Sequence, residues 1–134
     1  MIRQATITDY KVINSFDPFS GDRKEDIKEE RVFVYEHEGI ARGYISMARS
    51  GLLGRPYVQY LAVDTTFRRN GIASKLLIHI EGRYCEQRLF ISTESSNLPM
   101  QNLLSKRLYV PTGDISGANL NKTVELYYFK DINA

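Results

Sequence analysis

The stretch FRRNGIASKLL, Phe67 to Leu77, sets two arginines, an Asn-Gly pair and a run of apolar residues side by side. Arginine offers cationic donors, glycine offers backbone freedom and close approach, and the apolar residues after them recur at helical spacing. A strand ending at Val63, a turn from Asp64 to Asn70 and a helix beginning there would aim unpaired backbone N–H groups and the positive end of a helix dipole at one spot. That is an anion pocket. Gly71 and Ala73 keep its wall low enough for a pyrophosphate to touch the backbone, and Ser74 adds a hydroxyl donor. The chain has no G-x-x-x-x-G-K-[ST] and no G-x-G-x-x-G after a strand, so the phosphate-bearing ligand is neither a P-loop nucleotide nor a dinucleotide of the usual kind.

Other constellations are poorer. His37 lies between Glu36 and Glu38, but neighbours at a strand end point to alternate faces and do not chelate one metal. His79 and Glu81 are two apart on a helix and share no face, so no metal site is expected. Cys85 has no acid-base partner nearby in sequence and reads as structural. The nine tyrosines lack a basic face on which nucleic-acid bases would stack, so no nucleic-acid partner is expected.

The anion turn needs a strand before it and a helix after it, and the chain supplies both. YVQYLAV is apolar and aromatic enough for a central strand. From Asn70, Ile72, Leu76, Leu77, Ile80 and Tyr84 keep one helical face, while Lys75, His79, Glu81 and Arg83 mostly point elsewhere. Upstream, Ile2 to Ile7 alternate as a first strand, Thr6 or Thr8 could cap a short helix over DYKVINSF, and DPFSG breaks it. GDRKEDIKEE, with Ile27 as its only large apolar residue, reads as a short exposed helix or charged loop with a solvated face. Val32 to His37 and Ile40 to Ala48 form an antiparallel hairpin across Glu38-Gly39, and SGLLGRP is a Gly-rich turn. Downstream, RLFIST is a buried-type strand, NLPMQNLLSKRLYV a helix starting near Asn97, PTGDISGANLNK a turn-rich loop and TVELYYFK a closing strand. The order strand, helix, strand, helix marks a crossover unit.

The bulk numbers bound the rest. A chain of 134 residues with 43% hydrophobic and 25% charged residues is expected to be one soluble domain spanning residues 1–134. Eighteen basic against sixteen acidic side chains leave a formal charge of +2, so any anion site must be local. One cysteine permits no intrachain disulfide, and no window approaches a signal peptide or membrane span, so a cytoplasmic, membrane-free protein is expected.

The wording YLAVDTTFRRNGIASKLL resembles the GNAT acetyltransferase family, whose signature Q/R-x-x-G-x-G/A is met by Arg68, Gly71 and Ala73. The resemblance extends over nearly the whole chain, least clearly in the amino-terminal helices. It implies an α/β fold of the α+β mixed-sheet type, a mostly antiparallel sheet with a central parallel strand pair and flanking helices, and acetyl-CoA as co-substrate in a V-shaped opening between the fourth and fifth strands. Carried over, the backbone N–H groups of Arg69, Asn70, Gly71, Ile72 and Ala73 hold pyrophosphate with Arg68 and Ser74 beside them. Leu61, Ala62 and Val63 line the pantetheine arm, the backbone of Leu61 and Val63 pairing with it, and Asn97 contacts its pantetheine side. As a plain helix cap Asn97 needs no ligand at all.

Acetyl transfer to an amine needs a neutral nucleophile, stabilisation of an oxyanion and release of thiolate. By the resemblance, the oxyanion is met by a backbone N–H of the fourth strand, that of Val63 or its neighbour. The family's glutamate on that strand is absent here, leaving Gln59 or Tyr60 to order a water. The family's tyrosine, seven residues after the asparagine, is replaced by Leu104. Tyr109 is a further candidate acid, better explained as structural, and a thiol, which ordinarily titrates at about 8.5, can leave without a strong acid.

The leading expectation is an N-acetyltransferase passing acetyl directly to a primary amine, on a small molecule or peptide, in a ternary complex. The alternative is a catalytically inactive CoA-binding sensor or interaction module, and a ligand-free adaptor ranks last. Acceptor contacts are expected from Asp17, Pro18 and Phe19, from the Leu53 to Tyr57 turn and from the loop around Asp114, with Asp17 attracting a cationic amine. The closing strand ELYYFK would serve a homodimer contact if its edge were exposed.

Overall fold

A computed structural model of the protein describes residues 1–133, and Ala134 lies outside them. Its frame is a seven-stranded sheet in the order β1-β2-β3-β4-β5-β7-β6. The strands are β1 (Ile2–Gln4), β2 (Val32–His37), β3 (Ile40–Met47), β4 (Tyr57–Val63), β5 (Arg88–Glu94), β6 (Val110–Ile115) and β7 (Glu125–Asp131). Every neighbouring pair is antiparallel except β4 and β5, which run parallel. A parallel pair needs a crossover, and the α3 helix (Ile72–Arg83) supplies it. This is the mixed sheet with a central parallel pair that the sequence predicts.

The helices take opposite faces because strand side chains alternate. Val32, Val34, Tyr44 and Ala62 pack with Ile13 of α1 (Tyr10–Phe16) and Ile27 of α2 (Lys24–Lys28). Phe33, Ile45, Leu61, Leu89 and Ile91 pack on the other face with Leu76, Leu77 and Ile80 of α3 and Leu104 of α4 (Leu98–Lys106).

Several elements differ from expectation. The α3 helix starts at Ile72 rather than Asn70, since Gly71 caps it in the left-handed region. The helix α4 ends at Lys106, and Leu108 adopts φ 68°, so the chain turns before Tyr109. Part of the presumed loop after Tyr109 is β6, paired to β7 from Val110 to Ile115; its alternation is too weak to read because its side chains are all exposed. The sheet edges are therefore β1 and β6, and β7 lies between β5 and β6, so ELYYFK presents no free edge for a dimer.

The charged GDRKEDIKEE segment is not a wholly solvated face. Arg23 is only 4% exposed and Ile27 is buried, because α2 lies on the sheet and the arginine turns inward to carboxylates. Glu81 is likewise buried. Its Oε1 accepts from Arg107 at 2.6 Å and from Lys130 at 3.1 Å, and its Oε2 accepts from the Tyr109 hydroxyl at 2.9 Å. One carboxylate thus ties α3 to the end of α4 and to β7, and removing it would strand two cations.

Gly43 sets how closely α3 sits on the sheet. A Cβ there would lie 2.8 Å from Ile72 Cγ2 and 3.3 Å from the Ala62 carbonyl. Gly43→Ala should therefore cost about 1–3 kcal/mol through overpacking, read as a lower urea midpoint with an unchanged slope. At the other end of the sheet, Arg3 binds Asp9 at 2.8 and 2.9 Å and joins β1 to the start of α1. Burial raises the Asp9 carboxyl, but Arg3 and the Thr6 amide outweigh it and hold it below its usual 3.8. A depressed carboxyl stabilises the fold above that value and loses its contribution as pH falls through the folded value. Stability should thus drop below about pH 4, and Asp9→Asn should shrink that dependence in urea titrations at stepped pH.

Candidate functional site

The parallel pairing of β4 and β5 is short. Tyr57 registers with Phe90 and Val58 with Ile91, and β4 then runs on to Val63 without a partner on that side. A bulge accompanies the parting: Met47 pairs with Val58 and Ser46 with Tyr60, leaving Gln59 as the extra residue. A bulge bends its strand and increases its twist, which peels β4 away from β5.

The peptide groups facing the gap follow from register. The Asp64 amide donates to the Arg42 carbonyl at 2.8 Å, and Gly43 pairs with Val63 and Ile45 with Leu61. Bonded and non-bonded positions alternate in an antiparallel ladder, so Leu61 and Val63 are non-bonded towards β3 and direct N–H and C=O into the gap. An extended, amide-bearing ligand can pair with such an edge as a strand would.

The gap ends at the anion turn. Asp64 starts it, with Oδ1 accepting the Thr66 amide at 3.1 Å, while its other oxygen takes Arg42 at 3.2 Å. Those bonds hold the Asp64 carboxyl below its usual 3.8, the Thr66 amide contributing most and slight burial opposing. Arg69 at φ 69° and Gly71 at φ 72° are both left-handed, and the Asn70 side chain donates to the Phe67 carbonyl at 3.0 Å. No described hydrogen bond begins at the backbone amides from Arg68 to Ser74; the next amide, that of Lys75, donates to the Gly71 carbonyl at 3.0 Å. Gly71 has nothing within 4 Å of where a Cβ would stand, so its surroundings leave the backbone open to a ligand. Unpaired amides at a twelve-residue helix start form a concave donor set suited to pyrophosphate.

The space between the strands is a cleft of about 650 Å³. One wall is Val58, Gln59, Tyr60 and Leu61 of β4, and the other is Ile91 to Glu94 of β5. Arg68 lies at the end next to the turn and Asn97 and Met100 on the α4 side. Asn97 also caps α4, its Oδ1 accepting the Met100 amide at 3.2 Å. Below the opening, the Tyr57 and Ser92 hydroxyls meet at 2.6 Å, and burial pushes the Tyr57 hydroxyl up to about 12. This tyrosine stays neutral at ordinary pH.

Tyr109 is not at the cleft. Its hydroxyl is spent on Glu81 inside the core, and burial pushes its pKa far upward. Leu104 is fully buried in the core. The Leu53 to Pro56 part of the early turn lies elsewhere: Gly54, Arg55 and Pro56 line a groove with Glu86, Gln87, Arg88 and Asp131. Asp17 is not available to a cationic amine either, since its side chain is 2% exposed, paired with Arg23 at 3.3 Å and accepting the Tyr44 hydroxyl at 2.8 Å. Pro18 and Phe19 do line the cleft, whereas from the late loop the lining residues are Asn119 and Asn121 rather than Asp114.

Two carboxylates that sequence reading passed over also reach the cleft. Glu94 ends β5 and Glu125 begins β7, and the two are directly opposed in the ladder. Glu94 Oε1 accepts from Asn121 at 3.1 Å and Thr123 at 3.2 Å, and Glu125 Oε1 accepts from Asn119 at 3.0 Å. The available signal was a pair of glutamates at strand ends, but only the β5–β7 register brings them together.

A parted parallel strand pair ending in an amide-rich turn is the architecture of one acyl-CoA-using family, and the sequence profile of the acetyltransferase (GNAT) family matches residues 2–108. The chain belongs to the GNAT acetyltransferase family. Its enzymes take acetyl-CoA as co-substrate. A GNAT acetyltransferase from Bacillus cereus superposes with a TM-score of 0.83 at 21% identity, covering 100% of this chain and 98% of its own. The ribosomal-protein-S18-alanine N-acetyltransferase of Escherichia coli gives 0.80 at 17%, covering 100% and 94%. A putative streptothricin acetyltransferase from Bacillus anthracis, in complex with acetyl coenzyme A, gives 0.79 at 14%, covering 98% of each chain. At these identities the likeness is one of fold. No curated protein matches the sequence closely enough to count as a relative. Among the described residues no helix is long and apolar enough to cross a membrane.

Gly71→Glu places bulk and negative charge where the GNAT signature amides converge. Acetyl-CoA should raise the melting temperature of the native protein by mass action and leave that of Gly71→Glu unchanged, in a thermal-shift titration. The mutant should also start about 1 kcal/mol less stable, because a side chain at φ 72° is strained.

Proposed function

We propose that this chain is a single GNAT domain catalysing direct transfer of acetyl from acetyl-CoA to a primary amine, both substrates being held together in the β4–β5 cleft. The observation that carries the reading is the edge of Leu61 and Val63 leading straight to the unpaired amides after Arg68. In this reading the amides of Arg69 to Ala73 take the pyrophosphate, flanked by Arg68 and Ser74. Leu61 and Val63 carry the pantetheine arm with Asn97 opposite, and the Val63 amide meets the developing oxyanion. Ala62, paired to Tyr44 and buried against α1, does not face the cleft, contrary to the sequence expectation.

The amine enters from the side of Phe19, Tyr60 and the β6–β7 loop. Glu94 and Glu125 stand opposed as like charges, so a cationic amine arriving between them relieves repulsion that folding alone leaves in place. One of them then takes the ammonium proton, directly or through a water ordered by Gln59 or Tyr60. The freed nitrogen pair forms the C–N bond at the thioester carbon, giving the oxyanion. This collapses as the C–S bond breaks, sulfur leaves with the electron pair, and the nitrogen's second proton passes to the departing thiolate or to solvent. A thiolate of pKa about 8.5 is a competent leaving group, so the lack of a tyrosine at position 104 does not block the reaction. These carboxylates also weaken the inactive-sensor alternative, whose motive was the missing glutamate on β4. A single exposed cysteine fits a reducing compartment, so a cytoplasmic setting belongs to the same reading.

The test is acetyl-CoA consumption against free-amino-terminus peptides, lysine derivatives, polyamines and amino sugars. Turnover of at least one is expected; acetyl-CoA binding without turnover of any would favour the sensor. Glu94→Gln and Glu125→Gln should each keep the acetyl-CoA thermal shift, and the variant that removes the base should lower kcat/KM for the amine by about 100-fold or more. Unchanged amine kinetics in both would remove the carboxylates from the mechanism.

A further inference from the structure

The acceptor wall depends on a loop with little backbone support. Residues 18–22 join α1 to α2, and no backbone-to-backbone hydrogen bond described for the chain begins or ends on them. Yet Pro18, Phe19 and Ser20 line the cleft. Side chains hold them: the Phe19 amide donates to Asp17 Oδ1 at 3.1 Å, and Arg23 gathers the rest. Its Nη2 donates to the Ser20 carbonyl at 2.8 Å, its Nε faces Asp17 Oδ2 at 3.3 Å and its Nη1 faces Asp26 Oδ2 at 3.5 Å. The guanidinium carbon lies 3.8 Å from the centroid of the Tyr60 ring on β4, and the same ring meets Phe19 at 5.1 Å. The carboxylates are anchored in turn: Asp17 accepts the buried Tyr44 hydroxyl, and Asp26 accepts Arg31 at 2.9 Å and Ser46 at 3.2 Å.

We propose that Arg23 is a positioning residue for the acceptor half of the cleft: it clamps the α1–α2 loop against the ring of Tyr60 and so sets the Phe19–Tyr60 wall against which the amine substrate docks. This rests on the acetyl-transfer reading. A structural salt bridge would need only charge. Here a planar cation lies over an aromatic face while its edge donates to a carbonyl and stands within ion-pair range of two carboxylates, which is arginine geometry and not lysine geometry. The guanidinium contacts nothing at the phosphate end of the cleft, where the anion turn is built from Asp64, Arg42 and Asn70. The two halves are therefore separable.

The experiment uses Arg23→Lys in the full chain, which keeps the buried charge and loses the plane. Hydrogen–deuterium exchange should rise about tenfold at the Asp17 and Phe19 amides, which donate to the Ile13 carbonyl and to Asp17 Oδ1, and stay unchanged over residues 67–76, matching loss of one stacking contact and one carbonyl bond. The acetyl-CoA thermal shift should persist. With the best amine of the panel, KM for the amine should rise about tenfold while KM for acetyl-CoA and kcat stay within about twofold. Unchanged exchange at the Asp17 and Phe19 amides, or KM values rising equally for both substrates, would overturn the proposal. If Arg23→Lys does not fold, Tyr60→Leu removes the stacking platform while leaving the Arg23 ion pairs. It should loosen the same loop, and an unloosened loop would overturn the proposal equally. Wild type failing to turn over any amine would sink the acetyl-transfer reading alone, since the exchange measurement judges the clamp without it.

Discussion

The parting of β4 from β5 is the constraint on which the rest of this molecule depends. A parallel pair that stayed zipped would satisfy its own peptide groups and leave no edge to offer. Here pairing stops after Val58, and the extra residue Gln59 bends β4 away. Leu61 and Val63 are left with peptide groups that the sheet does not use. Open edges inside a sheet are costly unless something pairs with them, and an extended amide-bearing ligand is a natural partner. The helix α3 then begins where that edge ends, and its free amides add a second unmet demand at the same place.

Holding such a wedge open requires the walls to be fastened elsewhere. The fastening is polar and indirect. Glu81 joins α3, α4 and β7 through Arg107, Tyr109 and Lys130, well away from the cleft. Gly43 permits α3 to settle close on β3, so the anion turn is carried by a firmly seated helix. On the opposite face, Arg23 ties a loop without a ladder to the ring of Tyr60. Buried charges of this kind are poor sources of net stability; here they tie together elements that no ladder joins. This division leaves the cleft with two ends that are built differently.

The two cleft carboxylates show how a fold can bring an acid to one place from different strands. The fourth strand offers no acid, yet Glu94 and Glu125 reach the same space from β5 and β7. Proton transfer depends on where a carboxylate stands relative to the amine, and a mixed sheet can bring one in from several strands.

What the sequence determined by itself was local. The spacing of Arg68, Gly71 and Ala73 between an apolar strand and an amphipathic run marked the anion turn, because left-handed backbone and free amides at a helix start are properties of a few consecutive residues. The hairpin, the crossover and Asn97 as a helix cap were legible for the same reason. Tertiary structure alone decided the rest. It folded Arg23 inward from a segment whose composition reads as solvated, drew Glu81 and Tyr109 together in the core and hid Asp17 behind Tyr44. It also made β6 an edge strand and opposed Glu94 to Glu125 through the β5–β7 register. Each of these joins residues distant along the chain, where burial and cross-strand pairing outweigh the local pattern of charge and hydropathy.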